Sequence, residues 1–248
     1  MKPGLIPGDY ILVNKLTMGA RIFNLFSAIN DEETPIYRLP GISKVKRNDV
    51  LAFNFPYPNR WDSIGFDVMK YYVKRCIGLP GDSVEIINGI YKVRGYDYSV
   101  GNIESQKNLS GQSEDELPPG TWNTIPWDNK LKWNIKDFGP LYIPQKDKII
   151  PLTPINIKLY WNLIKWEQKQ KVTRNKNKIY LDGKQIQTYR FTKNYYFMGG
   201  DNVINSQDSR YWGMLPEEFI VGKAWIIWKS IHMNNNKMNW ERVLKRIR

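Results

Sequence analysis

A mainly β fold is predicted by three observations. Apolar and β-branched runs recur between Gly, Pro and Asn punctuation. Asn88-Gly89 and Asp182-Gly183 each follow such a run and are the dipeptides that close two-residue hairpins with positive φ. Few segments keep a 3.6-residue apolar period. With 42% hydrophobic residues in 248, ten of them Trp, the chain has enough apolar surface to build a sizeable core.

The elements follow in order. A turn-rich opening, Met1 to Asp9, runs directly into an apolar strand, Tyr10 to Asn14, so the chain reads as beginning mid-motif. A helix is expected over Thr17 to Asn30. Strands are expected over Val50 to Phe55, Tyr71 to Ile77 and Val84 to Ile87, the last folding back through Asn88-Gly89 onto Ile90 to Val93. From Gly95 to Lys136 the sequence turns polar and rich in Gly and Pro, the texture of an insertion. A second helix is expected over Asn156 to Gln170, where Leu159, Leu163 and Trp166 share a face. Strands over Ile179 to Leu181, Tyr195 to Met198 and Ala224 to Lys229 precede a basic tail, with Arg242, Lys245, Arg246 and Arg248, that reads as solvated. The predicted organisation is a β domain made of residues 1–94 and 179–248, interrupted by an inserted α+β domain over 95–178. Trp225 and Trp228 are expected in the core. Trp61, Trp122, Trp127 and Trp133 fall in polar, loop-like surroundings that suit a membrane interface as well as local packing.

Composition removes several chemistries. One His and one Cys exclude His/Cys zinc sites and disulfide frameworks. A Ser-His-Asp triad would need His232, whose neighbours do not resemble a catalytic loop, so the base of any acid–base chemistry is expected to be Lys, Asp or Glu. No run of eighteen apolar residues is present, so neither a transmembrane helix nor a complete signal peptide is expected within these residues. The charge of 37 − 24 = +13 fits an anionic membrane surface, a nucleic acid, or drift toward Lys, Asn and Ile.

Three segments pack turn residues and functional groups densely. They are Met1-Lys2-Pro3-Gly4-Leu5-Ile6-Pro7-Gly8-Asp9, Lys74-Arg75-Cys76-Ile77-Gly78-Leu79-Pro80-Gly81-Asp82, and Gly200-Asp201-Asn202 continuing to Asn205-Ser206-Gln207-Asp208-Ser209-Arg210-Tyr211-Trp212-Gly213. In this order they resemble the boxes of bacterial type I signal peptidases, the leader peptidase family of Ser/Lys-dyad proteases. Two departures stand out. Gly4 occupies the place of a Thr, and Val203-Ile204 replaces polar residues of the third box.

The resemblance implies a serine endopeptidase that removes signal peptides from translocated preproteins, with no metal and no organic cofactor. Lys74 matches the general base and Ser206 the hydroxyl that orients it. Asp201, Asp208 and Arg210 match residues bracing their loop, and the strand alternation sets Tyr72, Lys74 and Cys76 on one face. Met1, Pro3, Leu5, Ile6 and Ile77 are expected to line the substrate site. The nucleophilic Ser is expected immediately before Met1, with part of the oxyanion hole and the membrane anchor further upstream. The implied partners are signal peptides and the membrane surface, with no nucleic acid. The implied location is the outer, periplasmic face of the cytoplasmic membrane. Two rival readings of the residues are a non-catalytic relative that binds peptides at the membrane and a basic nucleic-acid binder, the latter marked by salt-dependent binding to single strands.

Overall fold

The structure, a computed structural model, describes residues 1–30, 32 and 34–247. In chain order come β1 (Asp9–Asn14), β2 (Arg21–Ile22), α1 (Leu25–Ile29), β3 (Tyr37–Arg38), β4 (Val50–Asn54), β5 (Tyr71–Gly78), β6 (Ser83–Ile87) and β7 (Ile90–Val93). Then follow α2 (Ile103–Ser110), β8 (Phe138–Tyr142), β9 (Ile149–Pro151), α3 (Pro154–Gln168), β10 (Val172–Asn175), β11 (Lys178–Leu181), β12 (Lys184–Ile186) and β13 (Thr188–Arg190). The chain finishes with β14 (Tyr195–Gly199), α4 (Ser209–Trp212), β15 (Leu215–Pro216), β16 (Ile220–Ser230) and β17 (Lys245–Arg246). The fold is mainly β.

The main sheet runs β1-β16-β4-β5-β14-β15, with β17 also on β16, so both ends of the chain meet in one sheet. Every residue of β4 and β14 is buried, and Leu51, Phe53, Cys76, Ile77, Phe197 and Met198 are completely so. This continuous apolar character belongs to strands covered on both faces. The one polar residue in β4, Asn54, is satisfied: its side chain accepts from Arg21 and donates to the Asp67 carbonyl. A smaller sheet, β7-β6-β8, packs alongside, and β10-β11-β12 and β9-β13 form separate ribbons. Both expected hairpin turns form, with φ of 46° and 79° at Asn88 and Gly89 and 48° and 76° at Asp182 and Gly183.

Three expectations are corrected. The helix over Thr17 to Asn30 shrinks to α1, because Gly19 adopts φ 85° against the Leu39 carbonyl and Arg21 then leaves to pair with Arg38 in β2 and β3. Only after Asn24 caps the Phe26 and Ser27 amides does a helix start. Trp225 and Trp228 lie outside the core, 49% and 56% exposed, because β16 turns Ala224, Ile227 and Ser230 inward and these two rings outward. The basic tail is solvated only in part. The Arg242 guanidinium grips Asp9 at 2.6 and 2.9 Å, while Lys245 and Arg246 pair with β16 through the backbone and stay exposed. Arg248 lies outside the described residues.

Helix α3 starts where Thr153 accepts from the Asn156 amide, with Pro154 in its first turn. It buries Ile157, Tyr160, Leu163 and Ile164, while Leu159 and Trp166 pack half-exposed against the core. At Gly222 β16 passes tightly against the end of β1, since a Cβ there would collide with the Asn14 carbonyl. Gly222→Ala is therefore expected to cost about 1–3 kcal/mol of stability, measured by urea denaturation.

Candidate functional site

The site forms where a strand pairing stops. Phe197, Met198 and Gly199 of β14 pair with Gly78, Cys76 and Arg75 of β5, and the pairing ends one residue short of Lys74. At Gly200 the chain leaves the sheet, loops out and returns over β5, setting Ser206 on Lys74. The Lys74 Nζ lies 2.9 Å from the Ser206 Oγ. A side chain at Gly200 would collide with the Ser206 hydroxyl and come within 3.4 Å of the lysine nitrogen, so only glycine allows this approach. The sequence presents this requirement as the glycine at the head of the third segment, Gly200-Asp201-Asn202.

The returning loop is held by a buried ion pair. Arg210 donates from Nε and Nη2 to the two Asp208 oxygens at 2.8 Å each, and both side chains are fully buried. Asp208 also accepts from the Gly200 amide at 3.0 Å, and Arg210 donates to the Val203 carbonyl at 2.7 Å. The Val203 side chain is itself completely buried, and its amide donates to the Ser105 hydroxyl. The apolar residue at this departure thus packs inward while its backbone completes the network. Asp201 is taken up separately, in a two-point pair with Arg75 at 2.7 Å per contact.

Electrostatics at Lys74 are a contest. Burial pushes its ammonium pKa down, Asp208 and Asp201 pull it up, Arg210 pushes it down further, and the result lies below the ordinary lysine value. Tyr72 shares the face, with the lysine nitrogen 5.8 Å from its ring centre. Burial also lowers the Met1 amino group, and the Lys74 charge adds to that shift. At Asp208 burial works upward, but Arg210, Lys74 and the Gly200 amide outweigh it and hold the carboxyl below the usual range.

Of the residues expected to touch substrate, Met1, Pro3 and Leu5 line one cavity of about 600 Å³ together with Arg75 and Asp201. Ile6 is half-buried, with its amide on Asp9. Ile77 is a correction: it is completely buried, packed beneath Gly199 and Gly101, and lines no opening. Two further residues position this region. Asp9 accepts from Ile6, Ser230 and Arg242, and Arg242 also donates to the Gly4 carbonyl, which fixes the opening turn. The Gly-Asp dipeptide hinted at Asp9, but nothing in the sequence joins it to Arg242, 233 residues away.

Asp208→Asn would leave Arg210 charged and unpaired in the interior. The expected loss is about 3–5 kcal/mol in urea unfolding. Because the Asp208 charge raises the Lys74 pKa, the same substitution is expected to move the Lys74 titration lower still, as followed by NMR of its side chain.

The family described as signal peptidase, peptidase S26, matches residues 1–229. Signal peptidase I of Buchnera aphidicola subsp. Acyrthosiphon pisum is 30% identical over 246 residues, spanning 96% of this chain and 68% of that protein. Signal peptidase I of Pseudomonas aeruginosa is 29% identical over 241 residues, spanning 93% of this chain and 62% of that protein. A crystal structure of a signal peptidase I from Enterococcus faecalis V583 is 22% identical and covers 74% of this chain and 98% of its own, with a TM-score of 0.35.

Proposed function

The chain belongs to the signal peptidase, peptidase S26, family, whose serine endopeptidases remove signal peptides, and on that premise we propose that Lys74 is the general base of this cleavage. The observation that carries the reading is the 2.9 Å contact of a half-buried Lys74 with the buried Ser206. A lysine is a base only when neutral, and burial disfavours its charged form.

The nucleophile in this reading is a serine hydroxyl on the amino side of Met1. A residue joined there emerges beside Lys74, whose charge the Met1 amine already feels. The hydroxyl attacks the carbonyl at the signal peptide junction while Lys74 Nζ takes its proton. Lys74 passes that proton to the departing amine, freeing the mature chain and leaving an acyl ester. Lys74 then takes a proton from water, which hydrolyses the ester and restores the serine. Ser206 is a positioning residue, since its hydroxyl fixes the direction of the lysine amine. Asp208 with Arg210, and Asp201 with Arg75, brace the loop that carries it. Met1, Pro3 and Leu5, in the cavity beside Asp201, receive the small residues that precede the cut, with Ile6 at its margin.

We read the main sheet, supplied by both chain ends, as the catalytic unit, and residues 95–178 as the inserted α+β part. No metal or organic cofactor enters the reaction. The working place is the outer face of the cytoplasmic membrane. What supports contact with a membrane is an apolar surface: Tyr10 and Leu12 of β1, Trp225 and Trp228 of β16 and Leu244 just before β17 are all exposed, with Lys229 set against the Tyr10 ring. Among the described residues no helix is long and apolar enough to cross a membrane.

The chain extended by a serine before Met1 is expected to cleave a signal-peptide substrate. Lys74→Ala should reduce kcat by roughly 10²- to 10⁴-fold, and Ser206→Ala on the order of 10²-fold. Since the neutral lysine is the active form, kcat/KM should rise with pH through the Lys74 pKa and level off below the range in which an ordinary lysine titrates. Loss of activity in neither variant would overturn the assignment.

Anionic vesicles are expected to bind the chain through the exposed rings. Trp225→Ala combined with Trp228→Ala should weaken partitioning by about tenfold or more, measured by vesicle co-sedimentation.

A further inference from the structure

Ser206 also borders a second cavity, of about 850 Å³, that shares no residue with the one at Met1. Its walls come from four places in the chain. Tyr57 and Trp61, after β4, form a stacked pair with ring centres 6.4 Å apart and planes 15° apart. Trp127, from the inserted part, faces Tyr211 of α4 at 6.5 Å, and Tyr211 is fixed by donating its hydroxyl to the Thr121 carbonyl at 2.7 Å. Helix α3 supplies Lys158, and the catalytic loop supplies Ile204 next to Ser206. Trp61 and Trp127 are 56% and 58% exposed, large rings left open to solvent. Lys158 is the only charged side chain among the lining residues, and it is paired with Asp128.

We propose that this cavity binds the first residues of the preprotein beyond the scissile bond and favours an aromatic or large apolar side chain there. The proposal rests on the reading of Lys74 and Ser206 as the reacting centre. An extended chain crossing that centre has one half on each side. The apolar signal half belongs toward the exposed rings of β1 and β16, at one end of the main sheet, while β14 and β15 form the other end. The segment joining β14 to β15 carries Ile204, Ser206 and Tyr211, so the mature half leaves through this cavity. In an extended segment alternate side chains point the same way at about 3.3 Å per residue, so a side chain one or two positions past the bond comes level with the aromatic walls. Ile204 makes the floor apolar where the related motif has a polar residue. No carboxylate lines the cavity, so a basic side chain finds no ion-pair partner there and meets the charge of Lys158.

The test is calorimetric titration of the 248-residue chain with peptides that span a signal junction. Each carries Ala-x-Ala before a reduced, uncleavable linkage and Phe, Gly or Lys at the two positions after it. The Phe peptide is expected to bind about tenfold more tightly than the Gly peptide, and the Lys peptide no more tightly than Gly. Trp61→Ala, Trp127→Ala and Ile204→Asn should each shrink the Phe advantage to about twofold or less, with thermal unfolding confirming that each variant is folded. Equal affinity for the three peptides, or an advantage that survives in all three variants, overturns the proposal. A peptide ending at the linkage separates the two failures. If it binds while downstream identity makes no difference, only the cavity assignment fails. If neither it nor any longer peptide binds, the reading of the dyad fails and the cavity assignment fails with it.

Discussion

The buried ion pair of Asp208 and Arg210 is the constraint on which the site depends. Two charges fully removed from water lose several kcal/mol of solvation each, and a well-packed apolar pair at the same place would often be as stable. The geometry shows what the charges provide instead. Asp208 ties Arg210 to the Gly200 amide, and Arg210 ties Asp208 to the Val203 carbonyl, so both limbs of the loop close on one centre. The remaining Arg210 nitrogen, Nη1, has no hydrogen-bond acceptor, and the guanidinium lies 5.8 and 5.5 Å from the ring centres of Tyr91 and Tyr211. With the loop closed, Ser206 has one place to be, over Lys74.

That closure also sets the electrostatics. Moving the loop away would expose Lys74 to water and return it toward an ordinary lysine. Holding the loop down buries the amine but brings the Asp208 carboxylate close enough to favour its charge. Arg210 resolves the conflict, since it neutralises Asp208 as seen from Lys74 and adds repulsion of its own. The same pair therefore acts twice, once as a mechanical clamp and once as a screen that lets burial prevail.

The main sheet was legible because its strands have local causes. The runs at Val50 and Tyr195 are buried on both faces, the run at Tyr71 is rich in aromatic and β-branched residues, and Asn88-Gly89 and Asp182-Gly183 name their own turns. Helix α3 was legible for the same reason, its buried stripe repeating at helical spacing. The failures are those of residues whose state is set from a distance. Thr17 to Asn30 has helix-compatible composition, but Gly19 takes a positive φ in close packing against the Leu39 carbonyl, and Arg21 is held away by Asn54. Trp225 and Trp228 sit in an apolar run that reads as core, and only the register of β16 between β1 and β4 decides which side chains face out. At the site, Lys74 and Ser206 are named by motifs 132 residues apart, while Ile77, three residues from Lys74 on the same strand, turns a completely buried side chain into the core. Proximity in sequence to a functional residue says little about which face of a strand a neighbour occupies.

The two ends of the chain meet at one place for a physical reason. The turn from Met1 to Ile6 is too short and too rich in Gly and Pro to hold itself against Lys74. Its position comes from Asp9, which accepts from Ile6 on its own turn, from Ser230 of β16 and from Arg242 of the tail. Arg242 then reaches back to the Gly4 carbonyl. The opening turn is thus registered on the longest strand of the main sheet, and β5, two strands further along, carries Lys74 on the same rigid frame. Residues between 95 and 178 hold the loop at three points: Val203 donates its amide to the Ser105 hydroxyl, Ile125 donates its amide to the Arg210 carbonyl, and Tyr211 donates its hydroxyl to the Thr121 carbonyl. On the proposed reading, chemistry placed on the sheet and specificity placed on the aromatic cavity vary separately. An aromatic wall such as Trp127 can be exchanged without moving Lys74, the proposed base.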